Sequence, residues 1–207
     1  MKKGLTEISF ILDRSTSMGH LTGKTIEGFN SFVSEQRKNE GSANLSLTLF
    51  DTKTEQKITS LKLNQIPLLT EEDYITGGCT ALHDAIGTTI VMLGKRLNEM
   101  DESEKPEKVL VIIFTDGEEN SSSLYKASDI KEMIKHQTDV YNWEFVFMGC
   151  NQDAALSSSE LGIHNYANVG FSPQGMTGMY DELSRGVSSY RSNVGSLGQM
   201  PENISGE

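Results

Sequence analysis

The sequence holds only two cysteines in 207 residues, Cys79 and Cys150. That is too few for a disulfide framework, and their separation fits no zinc motif. Both read as small buried side chains, the usual state of a free cysteine. Positive charge is scarce as well: 18 Lys and Arg against 29 Asp and Glu leave a formal charge of -11, which opposes a phosphate backbone and sets nucleic acid aside as a partner. Long hydrophobic runs are missing. The apolar stretch near the start covers about six residues, short of a secretory core of roughly 7–15 and of a membrane span of 18 or more. A soluble, cytoplasmic protein with no membrane partner is therefore expected, and the Asn-x-Ser triplets at 44, 120 and 203 are chance matches. Hydrolase signatures are lacking too. There is no Gly-x-Ser-x-Gly elbow and no His-Glu-x-x-His pair, and His20, His83, His136 and His164 are scattered without an assigned role.

What is present is an alternation of strand and helix patterns over a length suited to one domain. Ile8 to Leu12 is an apolar run around Ser9, and Val109 to Phe114 is apolar without alternation, as a strand covered on both faces of a parallel sheet should be. Leu45, Leu47 and Leu49, followed by Ile58 and Leu61 across a short polar link, predict a hairpin with 55–62 as an edge strand. Three- and four-residue apolar spacing predicts helices over 24–37, from Thr80 to near Asn98, a short one around Ile130 to Ile134, one from Asp153 to Leu161, and a last one carrying Met176, Met179, Tyr180, Leu183, Val187 and Tyr190. Further strands are expected over Glu144 to Met148 and Tyr166 to Val169, a surface loop from Asp101 to Lys108, and one helical turn at Thr70 to Asp73. The predicted class is α/β: a doubly wound, mostly parallel central sheet with one antiparallel edge strand and helices on both faces. Residues 1–192 form the domain, and 193–207, rich in Gly, Ser and polar residues, a flexible tail.

In such a sheet ligands bind outside the carboxyl ends of the strands, and there the chemistry concentrates. The first apolar strand stops at Asp13, with Ser15 and Ser17 at alternate positions after it; a second stops at Thr115-Asp116-Gly117; and Thr80 stands at the head of a helical pattern after Gly77-Gly78-Cys79. These are oxygen donors of the kind that hard divalent cations such as Mg²⁺ prefer. Three hydroxyls are weak neutral ligands. Where the acids act through water, the ion keeps positive charge and an open position that an external carboxylate can fill.

The stretches DRSTS, GGCTAL and FTDGEEN resemble the metal-ion-dependent adhesion site of von Willebrand factor A-type domains, of a bacterial or phage intracellular type, and the likeness spans roughly residues 5–192. The resemblance implies that Asp13, Ser15, Ser17, Thr80 and Asp116 hold Mg²⁺ or Mn²⁺. It also implies that a partner protein presenting an Asp or Glu completes the shell, with self-association left open, and that the chain is not an enzyme. The sequence departs from the commonest pattern in Thr16, where Gly is frequent, and in Cys79 before the threonine, and neither change removes a ligand. Asp51 and Asp84 are candidate outer acids or parts of hydrogen-bonded loops. Glu118 and Glu119 are a solvated charge run or a rim feature.

A second reading concerns Gly19 to Thr25, which follows a strand, opens a helix and resembles a Walker A phosphate cradle, with Lys24 as its cation. That would make a nucleotide-binding or hydrolysing protein. The spacing is against it: three residues separate the glycines where the cradle needs four, and Met18 stands where the first Gly belongs.

Overall fold

The computed structural model describes residues 1–149, 154–169, 173–192, 198–199 and 203–204. The chain runs β1 (Lys2–Asp13), α1 (Thr22–Lys38), β2 (Ser42–Phe50), β3 (Thr54–Lys62), α2 (Leu82–Glu99), β4 (Pro106–Thr115), α3 (Ala127–Tyr141), β5 (Glu144–Gly149), α4 (Ala154–Glu160), β6 (Asn165–Val169), α5 (Pro173–Ser192) and the two-residue β7 (Asn203–Ile204). The strands form one sheet in the order β3-β2-β1-β4-β5-β6-β7. Every pairing is parallel except β2 with β3. This is the expected α/β fold with one antiparallel edge strand.

The continuous apolar runs are explained by two cores. Leu110, Ile112 and Phe114 of β4 join Ile8, Phe10 and Leu12 of β1 in a cluster with Phe29 and Phe32 of α1 and Met179, Tyr180 and Leu183 of α5. Val109, Val111 and Ile113, alternating with them, join Ile11 in a second cluster with Ile86, Ile90 and Leu93 of α2 and Ile130 and Ile134 of α3. Side chains alternate across a strand, so β4 is apolar from Val109 to Phe114 to fill both, while β1 supplies Ile8, Phe10 and Leu12 to one core and Ile11 to the other. Gly28 lets α1 approach α5: a Cβ there would lie 2.0 Å from the Tyr180 ring.

Some boundaries differ from the sequence reading. Helix α3 covers Ala127–Tyr141 rather than a short segment, because its ends are set by polar groups that leave no apolar stripe. Asp129 accepts the Lys126 N–H at 2.9 Å. Asn142, at φ 54°, closes the other end, with its N–H on Thr138 O and that of Trp143 on Gln137 O, a Schellman-type cap. Pro106 begins β4 instead of lying within a loop that runs on to Lys108; the first residue of a strand tolerates proline. The turn at Thr70 forms as expected, Tyr74 N–H reaching Thr70 O at 3.0 Å. Most of the stretch read as a tail lies outside the described residues, but Asn203–Ile204 pair with β6.

From β1 the chain turns outward to β2 and β3, then returns through α2 to β4 on the other side of β1. The order reverses between β1 and β4, which opens a crevice at their carboxyl ends. Asp13 and Thr115-Asp116 stand at its two lips.

Candidate metal centre

Three loops meet over that crevice, and backbone bonds fix their mutual positions. The β1 loop (residues 14–21) bonds to the loop before α2: Gly77 N–H to Arg14 O at 2.9 Å and Thr16 N–H to Gly78 O at 3.2 Å. Thr16 Oγ1 also donates to Gly78 O at 2.8 Å, so the threonine that replaces a frequent glycine adds a tie. Gly78 has φ +75° and no room for a side chain, since a Cβ would sit 2.8 Å from Thr52 Oγ1. The loop after β4 is fastened to Thr80, which donates its N–H to Asn120 Oδ1 at 2.9 Å and accepts the Asn120 N–H at 3.0 Å.

Asp13 is fully buried. Its Oδ1 accepts the Ser15 N–H at 2.7 Å and its Oδ2 the Thr115 hydroxyl at 2.5 Å. The Tyr74 hydroxyl donates to its carbonyl. Burial pushes the Asp13 carboxyl up to about 6, against the pull of the Thr115 and Ser15 hydrogen bonds and with the help of nearby Asp116. Asp116 is raised as well, first by burial, with the Ser17 hydrogen bond opposing. The positive side of nearby His20 also pulls the Asp116 carboxyl down, less strongly than the Ser17 hydrogen bond. Burying two carboxylates side by side is costly.

The hydroxyls form an ordered row. Ser17 Oγ donates to Asp116 Oδ1 at 2.6 Å, and Ser15 Oγ lies 3.0 Å from Ser17 Oγ. Since the Ser17 proton is used on Asp116, Ser15 is the donor of the second bond. A Cβ added to Gly117 would fall 3.0 Å from Thr80 Oγ1 and 3.3 Å from Ser17 Oγ. Thr80, Ser17 and the start of the Asp116 loop therefore face one small space that a larger residue at 117 would fill. Two oxygens bound side by side at about 2.0–2.1 Å to one Mg²⁺ stand about 3 Å apart, and the serine pair has that spacing. The donor set is all oxygen, which suits Mg²⁺ or Mn²⁺.

The other candidates fall outside this space. Cys79 is exposed rather than buried: its N–H is held by Thr52 Oγ1 at 2.9 Å, which fixes the loop without enclosing the thiol. Cys150 lies outside the described residues. Asp84 belongs to a hydrogen-bonded loop, accepting the N–H groups of Ser123, Leu124 and Tyr125 at 2.9 Å each. Burial raises its carboxyl, but those three amides outweigh it and hold it below the ordinary range. Asp51 accepts Arg14 Nε at 2.9 Å, and Arg14 also reaches Glu55 at 2.7 Å. Glu119 turns inward and accepts the His83 N–H at the head of α2 at 2.9 Å, whereas Glu118 is exposed. His20, given no role from sequence, bonds the Ser17 carbonyl through Nδ1 at 2.7 Å.

Thr115 and Asn120 were missed. The signal for Thr115 was its place, the last residue of an apolar strand and the only hydroxyl in it. The loop from Gly19 to Thr25 is no open cradle: Thr16–Leu21 is a 3-10 helix with Met18 and Leu21 buried, and Lys24 pairs with Glu27 at 2.7 Å on the surface of α1.

No protein-family model and no curated protein matches the sequence. Solved structures do match the fold. A von Willebrand factor type A protein from Catenulispora acidiphila aligns over 89% of this chain and 43% of its own, with a TM-score of 0.59 and 12% identity. The manganese-loaded TRAP protein of Plasmodium vivax aligns over 83% and 70%, at 0.58 and 18%. Proximal thread matrix protein 1 from the mussel byssus, with a zinc-occupied MIDAS motif, aligns over 88% and 46%, at 0.61 and 16%. The chain thus spans under half of two of these proteins. At such identities the likeness establishes the fold, which is that of von Willebrand factor A domains. No helix among the described residues is long and apolar enough to cross a membrane.

Proposed function

We propose that the chain is a divalent-cation-dependent protein-interaction module, in which Ser15, Ser17 and Thr80 hold Mg²⁺ or Mn²⁺ and an Asp or Glu of a partner protein completes the shell. The observation that carries this reading is the hydroxyl row ending on Asp116, with Ser15 and Ser17 oxygens 3.0 Å apart and Ser17 2.6 Å from the carboxylate. Each serine proton is directed along the row, which leaves oxygen lone pairs for a cation. When bound, the ion supplies a positive, electrophilic position open to a carboxylate.

The chain's own groups divide the work. Both Asp13 oxygens already accept a strong donor, so Asp13 holds the loop and lends charge through water. Asp116 orients Ser17. Thr80 is kept in register by its paired bonds with Asn120. Binding, without turnover, is the whole of this activity. In the neighbouring structures, manganese in the TRAP protein and zinc in the mussel MIDAS motif support a metal in this fold.

The test is co-purification of partners from cell extract with Mg²⁺ or with EDTA, for the wild type and Asp116→Ala. A partner retained only by the wild type with Mg²⁺ is expected. Partners held equally in EDTA and by Asp116→Ala would overturn the reading.

A further inference from the structure

At the opposite end of the sheet, where β1 and β2 begin and β3 ends, lies an open basin of about 570 Å³. Its lining carries Lys2, Arg37, Lys62 and Arg191 against one acid, Glu104. In a chain of formal charge -11 such a concentration of positive charge runs against the average. The floor is apolar, formed by the buried Leu5, Ala43 and Leu63.

The two arginines are held by neutral groups. Arg37 donates Nε to Leu63 O at 2.8 Å and Nη2 to Ile66 O at 2.6 Å. Arg191, only 8% exposed, donates Nη1 to Gln36 O at 2.6 Å and Nη2 to Gly41 O at 3.1 Å, while its Nε has no hydrogen-bond partner. The buried Glu7, by contrast, is matched by Arg96. Among the described residues none of the four basin cations has a carboxylate partner, although carbonyls have already fixed both guanidinium groups in place. Ordering the donors in advance lowers the cost of binding, and the uncompensated charge favours an anion.

We propose that this basin is a binding site for a phosphate group, separate from the metal centre. A single carboxylate carries one charge and would leave most of the lining uncompensated. A phosphomonoester carries about -1.5 to -2 and three acceptor oxygens, and its organic part can rest on the Leu5 and Leu63 floor. Two sources share this chemistry: a small-molecule phosphate and a phosphorylated residue of a protein.

The test is calorimetry on the full chain in EDTA, so that no metal recruits phosphate, with inorganic pyrophosphate and a phosphoserine peptide as probes. The wild type should bind at least one probe. Lys2 and Lys62 are exposed, so a Lys2→Glu, Lys62→Glu variant should keep the wild-type melting temperature and lose affinity by about tenfold or more, as expected for reversing two charges beside a dianion. Asp116→Ala, at the far end, should bind as the wild type does. Binding of pyrophosphate identifies the small-molecule source, and binding of the peptide alone the protein source; either supports the site. No heat with both probes, or affinity unchanged in the double variant, would overturn it.

Discussion

Strand β1 carries two buried acids six residues apart, Glu7 and Asp13, and they are treated in opposite ways. Glu7 is surrounded by its own counter-groups: Arg96 Nη2 at 2.6 Å, Ser46 Oγ at 3.0 Å and Ser60 Oγ at 2.8 Å. The cluster ties β1 to β2, β3 and α2 and needs nothing from outside. Asp13 receives a hydroxyl and an amide, and the charge of another acid, Asp116, acts against its ionisation. The same strand thus holds one acid whose charge the fold neutralises and one that, on the proposed function, keeps its charge for a metal ion. On that reading the difference separates groups that stabilise the domain from groups that serve binding.

The largest effect is expected at the matched acid. Arg96→Ala strands the Glu7 carboxylate in the core, and removing one partner of a buried pair costs about 3–5 kcal/mol. Urea denaturation should show a loss of that order, while metal affinity per folded molecule stays unchanged. Asp13→Asn should do the reverse. The amide can still accept the Ser15 N–H and donate to Thr115 Oγ1, whose proton can turn to Gly117 O, 3.1 Å away. Stability without metal should then change by less than about 1 kcal/mol, while Mg²⁺ binding is lost. If Asp13→Asn unfolds the metal-free protein as Arg96→Ala does, the two acids do not differ in kind.

A third, intermediate case is Asp84, satisfied chiefly by amides. Its carboxyl is held below the ordinary range, so it contributes stability that is full above the unfolded value of about 3.9 and is lost as pH falls through the lower folded value. Asp84→Asn should cost about 1–3 kcal/mol at pH 7, and the gap between variant and wild type should close on acidification below pH 4. A gap that widens instead would contradict the assigned direction.

How far the sequence could be read follows the same division. The strands β1 and β4, and the loop residues Asp13, Ser15, Ser17, Thr80 and Asp116 that the fold gathers at one crevice, were legible because each is marked locally, by an apolar run and an abrupt polar end. The Glu7–Arg96 pair joins residues on different elements far apart in the chain, and nothing near either one announces it. Glu119 resembled a solvated charge beside Glu118 because the inward turn is made by the loop that its own carboxylate organises, through the Ser121 and Ser122 N–H groups at 2.9 and 2.7 Å. Cys79 was assigned to the interior on the general habit of cysteine, whereas the loop geometry set by Gly78 and Thr52 turns it outward.

The smallest effect is expected at Lys24, and it sharpens the comparison by contrast with Ser15 only nine positions away. In a phosphate cradle Lys24 would neutralise phosphates, and Lys24→Ala would abolish function while Ser15→Ala mattered little. The geometry ranks them the other way. Lys24 makes one exposed ion pair with Glu27 on α1, of a kind that contributes little to stability, whereas the Ser15 hydroxyl is the far end of the row that leads through Ser17 to Asp116. Calorimetric titration with Mn²⁺ should show Lys24→Ala within error of the wild type. Ser15→Ala should bind more weakly by about tenfold or more, as expected when one oxygen ligand is deleted from a site of few strong donors. Neither variant nor the wild type should hydrolyse ATP or GTP, and nucleotide turnover that disappears with Lys24→Ala would reverse the assignment of this loop.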